Sequence, residues 1–389
     1  MSVNTMNFEQ AATLLNSITK QATGRDALTP TNTSEFVSLA QTTLQAGYDP
    51  VLNAITQMVT RTIFSIRPYD RKFAGLQVDN QKFGAITRKL NIADKDFEND
   101  VSFNLVDGQS VDHYKVNKPN ILQTNFYGAN IFEKNYTIFK DQLDNAFTGA
   151  EQFSEFMSMI TQNASDMIEQ GHENLARAVI SNYIGGKVVS DAASVFHLLS
   201  LYNSETGQTL TKQQALSSTN YKAFMQWAYA KVAEIASLMT ERSELFQTNI
   251  TGKPINRHTP YRNQNVYMFA PVRYGMDARV LADTFHDTYL RYADVETLNF
   301  WQSIKTPDQI SVTPSYLDTD GTVKTAAAQQ ISDIFGVIVD DDTLGYTVVN
   351  QWSAMTPLNA KGGYWNVFMH YTDRYWTDYT EKGVVFKFD

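Results

Sequence analysis

One stretch constrains the fold more than any other: EQFSEFMSMITQNASDMIEQGHENLARAVISNYIGG, from Glu151 to Gly186. Phe153, Phe156, Met157, Ile160, Ala164, Met167, Ile168, Leu175, Val179 and Tyr183 recur at three- and four-residue spacing. That is the period of one face of an α-helix. The pattern predicts a helix over about 151–184, roughly 50 Å long at 1.5 Å per residue. Gly171 is placed to bend it and Gly185-Gly186 to end it. So long a helix acts as a spine along which other elements are arranged.

The segments before the spine fall into two kinds. Residues 1–66 read as short helices between polar linkers. Leu14, Leu15 and Ile18 mark the first helix, and Gly47 stops the second. The third opens with Asp49 as N-cap and Pro50 at its first position, with Val51, Leu52, Ile55, Val59 and Ile63 as its apolar stripe. Such helices make a poor core alone and suit an arm laid across something else. Residues 67–130 read as an extended ribbon. Ile86, Leu90 and Ile92 alternate with polar residues, and VSFNLVDGQSVDHYKVNKPNILQTNFYG alternates again, with a turn at Asp107-Gly108. An isolated two-stranded ribbon is marginal in water, so this one needs a surface to lie on.

After the spine, NYKAFMQWAYAKVAEIASLMTERSELF carries a second helical stripe: Phe224, Ala228, Val232, Ile235 and Met239. NVYMFAPVRYG reads as a buried strand running to Pro271, and YLDTDGTV as a turn at Asp320-Gly321. The C-terminal segments FGVIV, GYTVV, YWNVFMHY and KGVVFKF are strands. The fold class is α+β.

Composition bounds the function. Charged residues make up 19%, below the usual quarter, while there are 20 tyrosines. Surfaces that meet partners are depleted in Lys, Glu and Asp and enriched in aromatics. The net charge of −9 and the lack of any basic run exclude a strong nucleic-acid binder. Zero cysteines exclude disulfides, thiolate ligands and a cysteine nucleophile. No apolar run is long enough to span a membrane. The N-terminus MSVNTMNFEQ lacks the pattern of a signal peptide, so the sequons at Asn32, Asn135, Asn163 and Asn249 are expected to carry no sugar, in a soluble protein made in the cytoplasm.

Catalytic motifs fail on spacing. His172-Glu173 lacks a histidine four residues on, LDTDG lacks the twelfth-position glutamate of a calcium loop, and no phosphate loop or nucleophile elbow occurs. The run Asp340, Asp341, Asp342 could bind metal, cap a turn or face another subunit. Neighbours on a strand point to opposite sides, so capping near Thr343-Leu344 by one aspartate is the simpler account. Core packing accounts for Trp352, Trp365 and Trp376. Neither a metal nor a cofactor is expected. Arg67, Arg71, Lys72, Arg88 and Lys89 precede an acidic stretch with Asp94, Asp96, Glu98 and Asp100. Both signs of charge in one extension can pair with a neighbouring copy and set register. These residues, with Asp340–Asp342, are the candidate inter-subunit contacts.

This order of parts resembles the major capsid proteins of tailed double-stranded DNA bacteriophages, with the Hong Kong 97-type fold shared with encapsulins. Stretches such as GYDPVLNAITQMVTRTIFSIRPYDRKFAGLQVDNQKFGAITRKLNI, NFYGANIFEKNYTIFKDQLDNAF and FGVIVDDDTLGYTVVNQWSAMTPLNAKGGYWNVFMHYTDRYWTDYTEKGVVFKFD carry it. The resemblance implies an N-terminal arm at 1–66, an E-loop at 67–130, a peripheral domain at 131–189, and an axial domain at 190–389 whose last strands return to the peripheral domain. It implies hexamers and pentamers in an icosahedral shell around double-stranded DNA, with weak wall contacts. No motif singles out a cross-linking lysine among Lys82, Lys89, Lys95, Lys115 and Lys118, and none is expected. Without N-terminal coiled-coil heptads, a separate scaffolding protein is expected, no cleavage, and a portal as a further partner. An encapsulin-like compartment, usually a shorter chain, and a soluble enzyme with an unrecognised site are the alternatives.

Overall fold

The computed structural model describes residues 6–61, 73–77, 86–95, 105–112, 114, 116, 118–127, 130–279 and 295–389. Three helices come first: α1 (Phe8–Thr23), α2 (Thr33–Gln45) and α3 (Tyr48–Arg61). Asn7 opens α1 with a capping box, its side chain accepting from the Gln10 amide at 2.8 Å while Gln10 accepts from the Asn7 amide at 3.0 Å. Gly47, at φ +114°, turns the chain between α2 and α3. Helix α3 begins two residues earlier than its sequence signal. Asp49 is therefore inside the helix, and its carboxylate accepts instead from the indole Nε1 of Trp365 at 2.6 Å.

A ribbon follows, β1 (Ile86–Ile92) antiparallel to β2 (Ile121–Tyr127), then β3 (Asn130–Phe139), α4 (Lys140–Ala146) and α5 (Ala150–Ser190). The turn at Asp107-Gly108 is present, with the Gln109 amide donating to the Val106 carbonyl at 3.0 Å. The described residues between 105 and 120 form no strand, however, and the ribbon's second strand starts only after Pro119. Among the described residues the apolar alternation there meets no partner strand on which a ladder could form.

Helix α5 is the spine, 41 residues and about 60 Å long. It runs unbroken past Gly171 and through Gly185-Gly186. These two glycines do not stop the helix; they let it be approached. A Cβ on Gly185 would lie 2.7 Å from Val312, and one on Gly186 would lie 2.1 Å from the Tyr379 hydroxyl. Buried Arg177 ties the spine to the segment beside it, bonding Glu173 at 2.6 Å and stacking 3.8 Å over the Phe300 ring.

The remaining elements are β4 (Val195–His197), α6 (Leu198–Thr206), α7 (Lys212–Ala215), α8 (Tyr221–Thr240), β5 (Gln264–Phe269), α9 (Ala270–Arg279), β6 (Val295–Leu298), β7 (Ile310–Val312), β8 (Ser315–Leu317), β9 (Val323–Thr325), β10 (Gln329–Ile331), β11 (Ile334–Asp340), β12 (Leu344–Met355), β13 (Tyr364–Thr377) and β14 (Gly383–Lys387). Strand β5 ends at Phe269, not Pro271. Pro271 sits in the first turn of α9, where its missing N–H costs nothing. The turn at Asp320-Gly321 joins β8 to β9, with Gly321 at φ +81°.

Two sheets divide the chain's core. A five-stranded sheet, β4-β14-β11-β5-β6, is covered on both faces. Val337 and Val339 of β11 face the C-terminal half of α5. Phe335 and Ile338 face α6 and α8, where Phe224, Ala228, Val232, Ile235 and Met239 are all buried. Coverage on both sides explains why β11 is apolar without alternation. A three-stranded antiparallel sheet, β12-β13-β3, packs Trp365, Val367, Met369 and Tyr371 against α1–α3 and the first half of α5. Among the described residues its other face is uncovered. Trp365 is core, but Trp352 is 47% exposed and stacks on His370 with centroids 4.0 Å apart.

Candidate assembly surfaces

Strand alternation gives the ribbon two chemically different faces. Register places Arg88 opposite Asn125, Leu90 opposite Gln123 and Ile92 opposite Ile121. These six residues point away from the chain and are exposed, Leu90 and Ile92 at 65% each. The opposite face lies on the molecule. Lys89 bonds the buried Asp378 carboxylate at 2.9 Å and also contacts Glu381, which Arg257 holds at 2.8 Å. Burial pushes the Glu381 carboxyl up. Burial pushes Lys89 down, but the charges of Asp378 and Glu381 outweigh it and hold the ammonium above its ordinary value. At the ribbon's far end Asp94 accepts from the Asn256 amide at 2.6 Å and pairs with Arg242 at 2.6 Å. The Asn256 amide bond, then Arg242, keep its carboxyl below the usual range.

The sequence candidates thus separate. Arg88 faces outward. Lys89 and Asp94 find partners in their own chain, where a neighbouring copy was expected. Arg67, Arg71, Lys72, Asp96, Glu98 and Asp100 lie outside the described residues. Arg257, Asp378 and Glu381 complete the Lys89 network and carried no sequence signal, because their partners are distant in the chain.

The three aspartates sit where the chain passes from the five-stranded to the three-stranded sheet. Asp340 ends β11 and caps the turn. Its carboxylate accepts from the Asp342 amide at 3.0 Å and from the Thr259 hydroxyl at 2.7 Å, while its carbonyl accepts from the Thr343 amide at 2.9 Å. Asp341 accepts from the side-chain amides of Asn263 (3.1 Å) and Asn265 (2.8 Å). Burial, and then the Asp340 charge, push its carboxyl up. Asp342 is exposed. Capping by one aspartate holds. Among the described residues no group of three or more His, Asp or Glu is placed to hold a metal ion.

Exposed apolar surface is concentrated. Of the 23 large apolar side chains exposed among the described residues, 11 fall between Leu90 and Phe139. A surface of this kind is expected to be covered by a partner. Beside it, a groove of about 680 Å³ runs between β3 and the spine, lined by Phe132, Met167, Ile168, Leu175 and Tyr371, with His172 and Asp373 in its wall. Asp373 is 2% exposed, and its Oδ2 lies 3.8 Å from His172 Nε2. Burial raises its carboxyl to about 6.

Residues 15–387 match the family model of the Phi29-like phage major capsid protein. The chain belongs to this family. No curated protein matches it. Among solved structures it is similar to a chain of the capsid of Staphylococcus phage Andhra, at 11% identity, with 84% of this chain and 86% of that one covered and a TM-score of 0.54. It is also similar to a chain from the structure of head fiber and inner core protein gp22 of native bacteriophage P68, at 13% identity, with 83% and 86% covered and a TM-score of 0.55. These likenesses show a shared fold. Family membership makes this a major capsid protein, a structural and non-enzymatic component of the virion's shell. No helix among its described residues is long and apolar enough to cross a membrane.

Proposed function

We propose that copies of this capsid protein assemble as hexamers and pentamers into an icosahedral shell around double-stranded DNA, with the part-by-part layout of the Hong Kong 97-type fold. In that layout α1–α3 are the N-terminal arm, the β1–β2 ribbon is the E-loop, the spine with the three-stranded sheet is the peripheral domain, and the five-stranded sheet with α6 and α8 belongs to the axial domain. The ribbon's outward face carries this reading: Leu90, Ile92 and Ile121 lie exposed on a strand pair whose other face is already satisfied within the subunit. An apolar face held rigidly outward is suited to cover a neighbouring copy. Charge supports weak contact with the packaged DNA, since an acidic chain releases few counterions on a phosphate surface. A separate scaffolding protein and a portal are the partners during assembly in the host cytoplasm.

Light scattering on a sizing column, with negative-stain imaging of the void fraction, tests the reading. Closed shells, or sheets of hexameric units, are the expected outcome when the protein is made with its genomic neighbours. A 44 kDa monomer under every condition would overturn it.

A further inference from the structure

The slot between β3 and the spine combines an apolar floor with one buried charge. Met167, Ile168, Leu175 and Val179 of α5 and Phe132 of β3 line a volume of about 680 Å³, room for a small organic molecule. Asp373 lines the same slot. It is 2% exposed, and its Oδ1 has no hydrogen-bond partner among the described residues. Its Oδ2 stands 3.8 Å from His172 Nε2, beyond hydrogen-bond reach. A buried carboxylate left open in this way is completed by a donor that also brings positive charge.

The lining selects the kind of cation. A metal ion needs several ligands, and among the described residues no group of three or more His, Asp or Glu is placed to supply them. A quaternary ammonium has no N–H to give Oδ1. A primary ammonium has three, and a methylene chain behind it would cover the apolar floor. We propose that the slot is a binding site for a primary alkylamine, its ammonium on Asp373 and its chain along Met167, Ile168 and Leu175. The inference concerns the subunit itself and does not depend on how copies assemble. The other charged and titratable groups packed around the site are Glu133 and Lys134 on β3, His172 on α5, Tyr346 on β12, and Tyr371 and Tyr375 on β13. Glu133 and Lys134 are exposed and opposite in sign, so their fields offset each other and are screened by solvent. Asp373 is the buried anion that an incoming ammonium meets.

Calorimetric titration of the unassembled full-length subunit with n-hexylamine, and with n-hexanol as its uncharged counterpart, tests this. At pH 8 the Asp373 carboxyl, raised by burial to about 6, is ionised. Saturable binding of one hexylamine per subunit is expected there, at least tenfold tighter than hexanol. Binding should weaken about tenfold at pH 5, where the carboxyl is protonated. Asp373→Asn should bring the amine down to the affinity of the alcohol. The pH comparison uses the parent chain, so it decides even where the variant fails to fold. No saturable binding of hexylamine, equal affinity for amine and alcohol, or an amine affinity unchanged between pH 8 and pH 5 would each overturn the proposal. Subunits that bind the amine as described but never form shells would uphold it and remove the assembly reading alone.

Discussion

Lys89 Nζ lies 2.9 Å from the carboxylate of Asp378, a residue 289 positions away in the chain and 1% exposed at its side chain. This contact fixes the ribbon to the connector between β13 and β14. Thr380 donates to Asp378 from its amide (2.8 Å) and its hydroxyl (2.6 Å), which fixes the orientation of the carboxylate that meets the ammonium.

Lys89→Met should therefore leave two buried carboxylates with Arg257 as their remaining charged partner. Removing one member of a buried ionic network costs on the order of 3 kcal/mol. Urea unfolding of the unassembled subunit, followed by tryptophan fluorescence, is expected to show a lower midpoint, and limited proteolysis should cut the ribbon faster. Lys89→Arg keeps the charge and should lose less. Equal stability of the Met variant and the parent would mean that the network does not hold the ribbon.

Asp373 gives a pH-dependent prediction with a definite sign. Its carboxyl stands at about 6 in the folded subunit against an ordinary value of 3.8. The folded state thus binds the proton more tightly than the unfolded state. The associated stability is complete below about pH 4 and is lost as the pH rises through 6. Asp373→Asn removes the burden of the buried charge, so the variant subunit should be more stable than the parent above pH 6, by up to about 3 kcal/mol. The two should converge towards pH 4. Thermal melts at pH 4.5 and 8 read the difference directly, and a variant less stable than the parent at pH 8 would show that the ionised carboxylate has a favourable partner within the subunit.

Local periodicity made much of the fold legible. The spine stripe, the α8 stripe and the C-terminal strands are signals carried within a few residues, and Phe153, Met157, Val179, Phe224 and Ile235 all became core. What stayed hidden was set by distant packing. Gly185 and Gly186 look like a helix stop in sequence, and only Val312 and Tyr379 across the spine reveal them as contact points. Alternation near Leu105 and Val106 looks like a strand but meets no partner ladder among the described residues. Lys89 was legible as a charge but not as an intrachain ligand, since nothing near it in sequence announces Asp378 or Glu381. Asp373 carried no signal at all, because its importance comes from burial and an open oxygen.

The turn between the two sheets should depend on one aspartate of the three. Asp340→Ala removes the acceptor for the Asp342 amide and for the Thr259 hydroxyl, and a lost turn cap of this type costs about 1 to 2 kcal/mol. Asp342→Ala, at an exposed position, should change stability by less than about 0.5 kcal/mol. Chemical denaturation of both variants checks the ranking. Equal losses would mean that Asp340 does not act as the cap.

The spine's glycines offer the sharpest contrast. Gly171 and Gly186 share one helix and one residue type, so the intrinsic gain from replacing glycine with alanine, about 1 kcal/mol in a helix interior, is the same for both. Their surroundings differ. A Cβ at Gly171 meets nothing within 4 Å, whereas one at Gly186 would sit 2.1 Å from the hydroxyl of Tyr379. That hydroxyl donates to the carbonyls of Asn182 and Ser315, and the ring stacks on Tyr183 with centroids 5.4 Å apart, so it cannot swing aside without losing those contacts. Overpacking of this kind costs about 1 to 3 kcal/mol and reverses the helix gain. Gly171→Ala is expected to raise the melting temperature of the subunit and Gly186→Ala to lower it. A stabilised Gly186→Ala would mean that the Tyr379 contact is loose and that the spine is not pinned to the β13–β14 connector at this point.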